Sequence, residues 1–252
     1  MNPIGVALTV FLCAAGAALA GAALRSVLPP RHLDPDSRDV LKLVMGLIAT
    51  LSALVLGLLI AGAQSSYNTQ AGALQKMAAN IVELDHLLAS YGPETAGPRR
   101  QVREVVIEMH DRIWKNGGVR REAIGGTRIS QLGRFYAQLA VLSPRNDSQR
   151  FALSRALQLA DDINLARLLL YEESRGSLST PFLAVLVFWI CALFLGFGLL
   201  ARFQATLAMV LLVGAASVAV AIYLILELNA PYRGIIQLTD TPIRDALAQL
   251  GR

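Results

Sequence analysis

Four long apolar blocks stand out along this chain, and the polar positions are grouped between them. The first runs from Ile4 to Leu24 without a charged residue. At about 1.5 Å per residue this is roughly 30 Å of helix, the thickness of a bilayer's hydrocarbon core. The second block runs from Leu43 to Ala63, after Lys42. The third opens with Ser179-Thr180-Pro181, a cap with proline just inside the helix start, and continues to Ala201. Only Arg202 and its neighbours separate it from the fourth, Ala205 to Leu226, so the last two blocks form a tight antiparallel hairpin that Glu227 closes. A cleaved leader competes for the first block, because Ala20-Gly21-Ala22 is rich in small residues. However, Met1-Asn2-Pro3 lacks a basic residue and the apolar stretch exceeds a leader's core, so a retained helix is expected.

The stretch between the second and third blocks has helical periodicity. Leu74, Met77, Ile81, Leu84 and Leu88 repeat at steps of three and four, with no break back to Ala63. The second helix is therefore expected to continue out of the membrane as far as Tyr91-Gly92-Pro93. Val102, Val105, Val106, Met109 and Ile113 predict a second amphipathic helix, ended by Asn116-Gly117-Gly118. Ile129, Leu132, Phe135 or Tyr136, Leu139 and Leu142 predict a third, stopped by Ser143-Pro144. A fourth spans about Asp147 to Ser174, with Leu153, Leu157, Ala160, Ile163, Leu168 and Leu169 inward. After a break at Asn229-Ala230-Pro231, Thr241-Pro242 caps a short helix carrying Ile243, Leu247 and Leu250, expected to dock on the insert or on the membrane surface. The fold expected is all-α: a polytopic membrane protein with four transmembrane helices and a helical, water-facing insert between the second and third. Its parts are residues 1–63 (two spans and a short basic loop), 64–178 (insert), 179–228 (hairpin) and 229–252 (tail).

Composition sharpens this. The chain is 54% hydrophobic and 16% charged with a mean hydropathy of +0.50, where soluble domains carry about a quarter charged residues. Residues 64–180 hold 15 Lys or Arg and 12 Asp or Glu, a mild excess that suits a solvated helical surface and argues against a nucleic-acid partner. Arg99, Arg100 and Arg103 read as a solvated helix face, with anionic headgroups as the competing contact. Cys13 and Cys191, both inside apolar blocks, read as small buried residues with no disulfide framework or metal role. Small residues at helical spacing (Gly16 with Ala20, Ala17 with Gly21, Gly57 with Ala61, Gly214 with Val218, Ala215 with Ala219) predict faces where helices approach closely in lipid. Charge leaves the orientation open: Arg25, Arg31, Arg38 and Lys42 in the first loop pull it inward, while Arg233, Arg244 and Arg252 of the tail pull the other way.

No catalytic constellation emerges, and none of the motifs of phosphate, zinc or nucleophile chemistry is present. His32, His86 and His110 are the only histidines. Asp85-His86 and His110-Asp111 are adjacent pairs, about 100° apart on a helix, and read as surface residues rather than ligands. Gly125-Gly126 reads as a turn. No enzyme and no cofactor is expected. The second span holds the unusual chemistry. Leu47, Leu51, Leu54 and Leu58 make a stripe, Thr50 and Ser52 are polar within it, and Gly46, Ala49, Ala53 and Gly57 keep its surface thin. On leaving the membrane it becomes Gln64-Ser65-Ser66-Tyr67-Asn68-Thr69-Gln70, a polar run with no charge. Such a run suits either a buried hydrogen-bonded packing layer or the lining of an aqueous path.

Met45 to Asn68, MGLIATLSALVLGLLIAGAQSSYN, resembles the bestrophin-like domain family of bacterial membrane proteins. The resemblance extends over almost the whole chain: Leu28-Pro29 ahead of His32-Leu33, Met77 to Asp85, Tyr91-Gly92-Pro93-Glu94, and Leu224 to Tyr232. The family's name points to bestrophins, pentameric anion channels with four membrane helices and a helical cytosolic part. That likeness implies a homo-oligomer, a pore for small ions lined by the second helix of each subunit, and a cytoplasmic insert with both termini on the same side of a bacterial inner membrane. It departs from bestrophins after Tyr67, where Asn68, Thr69 and Gln70 replace arginine and tryptophan, and in the second span, which has Leu, Val and Ile for the neck aromatics. No acidic cluster suggests a calcium clasp. The pore-lining candidates are Leu47, Thr50, Leu51, Leu54, Leu58, Ser65, Ser66 and Asn68. The competing function is a membrane-anchored scaffold or sensor whose insert binds another protein, since the spans carry none of the intramembrane charge that transport often uses.

Overall fold

The computed structural model describes residues 2–27, 34–115, 127–174, 180–200, 204–229 and 235–250, with side chains described except at 115, 127–132, 171–174 and 180. His32, Arg202, Arg233, Arg252, Ser179 of the proposed cap, and the Gly117-Gly118, Gly125-Gly126 and Ala230-Pro231 breaks lie outside the described residues. Eight α-helices run α1 (Pro3–Val27), α2 (Pro35–Tyr91), α3 (Ala96–His110), α4 (Thr127–Ala140), α5 (Asp147–Ser174), α6 (Thr180–Leu200), α7 (Ala205–Leu228) and α8 (Thr241–Gln249), and there is no strand among the described residues. Four of these helices, α1, α2, α6 and α7, are long and apolar enough to cross a membrane. The chain forms two compact units, residues 1–65 with 177–229 and residues 66–176 with 230–252.

In the first unit, Val10, Ala14 and Ala18 of α1 share a buried cluster with Leu183, Leu186, Ile190 and Phe194 of α6 and with Ala215, Ile222 and Leu226 of α7. Small residues set the spacing. A Cβ on Gly198 would lie 2.9 Å from Ala22 N and closer still to the Ala18 carbonyl oxygen, and one on Gly21 would lie 3.0 Å from Leu199 N. α1 and α6 therefore touch backbone to backbone, and hydrogen at Cα is all that fits. Arg25 Nη1 donates to the Leu200 carbonyl at 2.7 Å, satisfying one of the open carbonyls at the α6 C-terminus. Both helices thus end at the same level and run parallel. Met45, near the start of α2, sits over Gly196 near the end of α6, so these two run in opposite senses. Of the small faces expected, the one through Gly21 is in contact, and Ala215 and Ala219 are buried. Gly16 and Gly57 face open space, because their helices turn those sides away from the cluster. Cys13 is exposed on α1 and Cys191 half-buried on α6, which corrects the expectation of buried thiols: each lies on a part of its helix that no neighbour in the chain fully covers.

α2 begins as its sequence dictates. Pro35 supplies the fixed φ of a first helical residue, and Asp34 Oδ1 accepts from Ser37 N at 3.1 Å. The hydrogen bonds from Ser37 hold the Asp34 carboxyl below its usual range. The helix is unbroken to Tyr91. There Gly92 adopts φ 136°, a backbone open only to glycine, where a Cβ would meet Glu94 Oε2 at 2.6 Å. The buried Thr95 hydroxyl shares its proton between the carbonyls of Leu88 and Gly92, so the end of α2 does not leave them bare.

The second unit buries Leu74, Met77, Ile81, Leu84 and Leu88 at 1% or 2% exposure, the stripe that the three-four spacing predicts. Val102 and Val106, Phe135 and Leu139, Ala156 and Leu159, and Ile243, Ala246 and Leu250 close around it. The tail helix α8 therefore completes this core. It starts one residue earlier than the sequence implies, with Asp240 in the capping position and Thr241 in its first turn. In α5 the expected inward set is partly out of phase: Ala160 is buried and Leu153, Leu157 and Ile163 pack on the core, but Leu168 and Leu169 are exposed and Leu170 is buried.

Polar pairs join the elements. Arg99 Nε and Nη2 donate to Asp85 Oδ1 and Oδ2 at 2.8 and 2.7 Å, a two-pronged bond that raises the proton affinity of Arg99. The Asp85 side chain is only 2% exposed. Arg99 is thus a structural cation locking α3 to α2, and only Arg100 and Arg103 of the supposed solvated cluster are exposed.

Candidate functional site

The span of α2 is the least covered of the four apolar helices. In its most apolar stretch 11% of residues are buried by the chain, against 22%, 33% and 28% in α1, α6 and α7. Its inner side is defined by Met45, Ser52 and Ala63, all buried, and by Val55, Leu56 and Leu59, which pack on the α1–α6–α7 cluster. Leu47, Leu51, Leu54 and Leu58 are 62%, 41%, 67% and 64% exposed. At about 100° per residue this stripe lies roughly 140° around the helix from the inner side. The same geometry puts Ser65 in line with the stripe and Thr50 on one flank.

The polar members differ in what their groups are free to do. The Thr50 hydroxyl donates to the Gly46 carbonyl one turn back at 2.9 Å, which leaves its oxygen lone pairs outward but commits its proton to the helix. Ser66 is half-buried and accepts from Gln70 Nε2 at 3.4 Å. Ser65 and Asn68 are exposed, and each has an interaction within the chain. Ser52 and Gln70 were legible as polar positions, but not as buried ones. Ser52 Oγ and Gln70 Oε1 are buried with no hydrogen-bond partner among the described residues. Such groups are costly when dry.

Elsewhere the structure gathers groups that no local pattern announces. His110 lies between two carboxylates, Nδ1 at 3.2 Å from Asp111 and Nε2 at 3.1 Å from Asp240. Its ring stacks on Trp114, whose Nε1 donates to the Leu238 carbonyl at 2.9 Å. His110 and Asp111 are in side-chain contact where the chain passes into a π-helical turn, Asp111–Lys115. This pins α3 to the loop ahead of α8. Glu227, at the end of α7, is 1% exposed and is hydrogen-bonded with Tyr223 one turn earlier. Among the described residues no three His, Cys, Asp or Glu side chains converge as metal ligands would.

Among curated proteins and solved structures, none matches this chain. The family model described as the Bestrophin-like domain matches residues 12–243. That interval takes in all of α2, the insert, both later apolar helices and the start of α8. The long apolar helices, the helical insert packed on the end of α2 and this match agree, and the chain belongs to the bestrophin-like domain family.

Proposed function

We propose that copies of this chain assemble in the cell membrane into a pore for small ions, anions among them, with the outward face of α2 lining the path. The chain crosses the membrane four times, through α1, α2, α6 and α7, and the insert and both termini lie on the cytoplasmic side. The observation that carries this reading is the exposure of Leu47, Leu51, Leu54 and Leu58 on the helix that its own chain covers least. Facing a symmetry axis, four leucines per subunit form an apolar constriction that closes by dewetting. Ser65 and Asn68 stand beyond it as uncharged polar groups, able to offer hydrogen bonds to a partly dehydrated ion without fixing it in place.

The test is ion flux into liposomes holding the purified protein and its Leu54→Ser variant, together with cysteine reactivity along the stripe. Cys13 is exposed, so the cysteine series needs a C13A/C191A background. Flux that rises with Leu54→Ser, and aqueous thiol reagents that reach cysteines at positions 47, 51, 54 and 58, support the pore. The contrary result is no flux in either form and inert cysteines in an intact oligomer. That would place the leucines against lipid and favour the second reading, a membrane-anchored scaffold whose compact insert unit binds another protein.

A further inference from the structure

The core of the second unit has an opening. A half-open cavity of about 100 Å³ lies between four helices. Its walls are apolar: Met77 and Ile81 from α2, Val102 and Met109 from α3, Phe135 from α4 and Ile163 from α5. Polar groups come only from Gln101, Asn164 and Arg167.

Arg167 is the odd one among these. Several other arginines of the unit have carboxylates: Arg99 has Asp85, Arg112 has Glu108, Arg155 has Glu83 and Arg244 has Asp240. Arg167 is half-buried and has no hydrogen-bond or ion-pair partner among the described residues. Burial alone pulls its proton affinity down, as it does for any cation drawn from water without an anion beside it. The two acids five and six residues before it on α5 do not serve it. Asp161 takes the Tyr136 hydroxyl, and Asp162 is exposed. A guanidinium keeps its charge in such a place and presents a planar fork of donors that fits a carboxylate.

We propose that this cavity is a binding site for a small apolar carboxylate, its hydrocarbon part against Met77, Val102 and Phe135 and its carboxylate on Arg167. The ligand is a free acid from solution, and Gln101 and Asn164 lie at hand for the remaining oxygen lone pairs. The inference rests on the second unit alone, so it stands or falls separately from the pore.

Methionine methyl resonances make the test direct, because Met77 and Met109 line the cavity while Met45 and Met209 lie on α2 and α7 within the apolar spans. The full chain, labelled at its methionine methyls and held in detergent micelles, is titrated with octanoate at neutral pH. The Met77 and Met109 signals are expected to shift and saturate, with Met209, exposed on α7, unmoved. 1-Octanol at the same concentration is expected to leave the first two in place. Arg167→Gln should weaken octanoate binding at least tenfold while its unliganded spectrum matches the parent, which shows that the fold is kept. Val105→Phe, filling the cavity with Arg167 intact, should abolish the shifts. The proposal is overturned if Met209 shifts in step with Met77 and Met109, if octanol acts as well as octanoate, if Arg167→Gln binds normally, or if octanoate moves neither cavity methyl.

Discussion

Gly198→Ala tests how the apolar helices are held together. The new methyl would sit 2.9 Å from Ala22 N, where ordinary contact begins at 3.4 Å, and nearer still to the Ala18 carbonyl oxygen. By the first distance alone α1 and α6 must part by 0.5 Å (3.4 minus 2.9), and the carbonyl demands more. Both obstacles are backbone, so no side chain can swing aside. A gap of about 0.5–1 Å forfeits a quarter to a half of each dispersion contact along the seam, and overpacking of this kind costs about 1–3 kcal/mol. Alanine returns up to about 1 kcal/mol through helix propensity, so the net loss should be about 1–2 kcal/mol. In lipid, packing rather than water release holds helices together, and the loss has no obvious compensation. Gly196→Ala makes a graded comparison, since there the obstacle is the thioether end of Met45 at 2.6 and 2.9 Å, which can move. Gly16→Ala and Gly57→Ala meet nothing within 4 Å and should fall within about 0.5 kcal/mol of the parent. The assay is unfolding by rising SDS fraction in mixed micelles, followed by the fluorescence of Trp189 on α6 in a Trp114→Phe background. The reasoning fails if Gly198→Ala unfolds at the same SDS fraction as the parent, or if the Gly16 variant loses as much.

Arg99→Met should cost the insert about 3–5 kcal/mol by stranding the buried Asp85 carboxylate, whereas Asp85→Leu with Arg99→Met should recover most of it; unfolding followed by Trp114 fluorescence closes the cycle, and an equal loss in the double variant counts against a buried pair. Gly92→Ala should lose about 1–3 kcal/mol through its φ of 136°, read from the same Trp114 transition, while Gly72→Ala, which meets no atom within 4 Å, should be close to neutral. Burial, then the hydrogen bond to Asp161, pushes the Tyr136 phenol up to about 12. A raised folded value stabilises the fold fully below the unfolded value of about 10, and that contribution disappears as pH rises through about 12. Alkaline titration of tyrosinate absorbance should therefore show a late step that Tyr136→Phe removes; a spectrum unchanged by that substitution would contradict the hydrogen bond to Asp161.

Periodicity revealed what lies on one face of a helix, and it did so well where the apolar residues are sparse. Between Leu74 and Leu88 only one helical phase fits, and the structure uses it. At Leu168-Leu169-Leu170 three consecutive leucines fit any phase, and the one buried was not the one the pattern favoured. Spacing also shows that Leu47, Leu51, Leu54 and Leu58 share a face, but what covers that face is a property of the surroundings. The contacts of Gly198 were not legible because a glycine in an apolar run has the same local pattern whether it touches lipid or backbone. Asp85 and Arg99 are separated by one helix end, and His110 and Asp240 by 130 residues that hold α4 to α7. Their pairing depends on how helices fold back, which local chemistry does not encode.

The interleaving of the two units has a consequence for how the protein is made. α1 packs on α6 and α7, whose first residues follow its own end by more than half the chain. A nascent α1 must therefore wait in lipid, and its uncharged surface from Ile4 to Leu24 permits that, since a single apolar helix is stable there before it finds partners. The insert has no such refuge. Its core lacks its last helix until Ile243, Ala246 and Leu250 emerge at the far end of the chain, so a chain cut short of α8 has an uncovered apolar surface. Exposed apolar surface of that kind is aggregation-prone, so the last helix to be made is the one that closes the core.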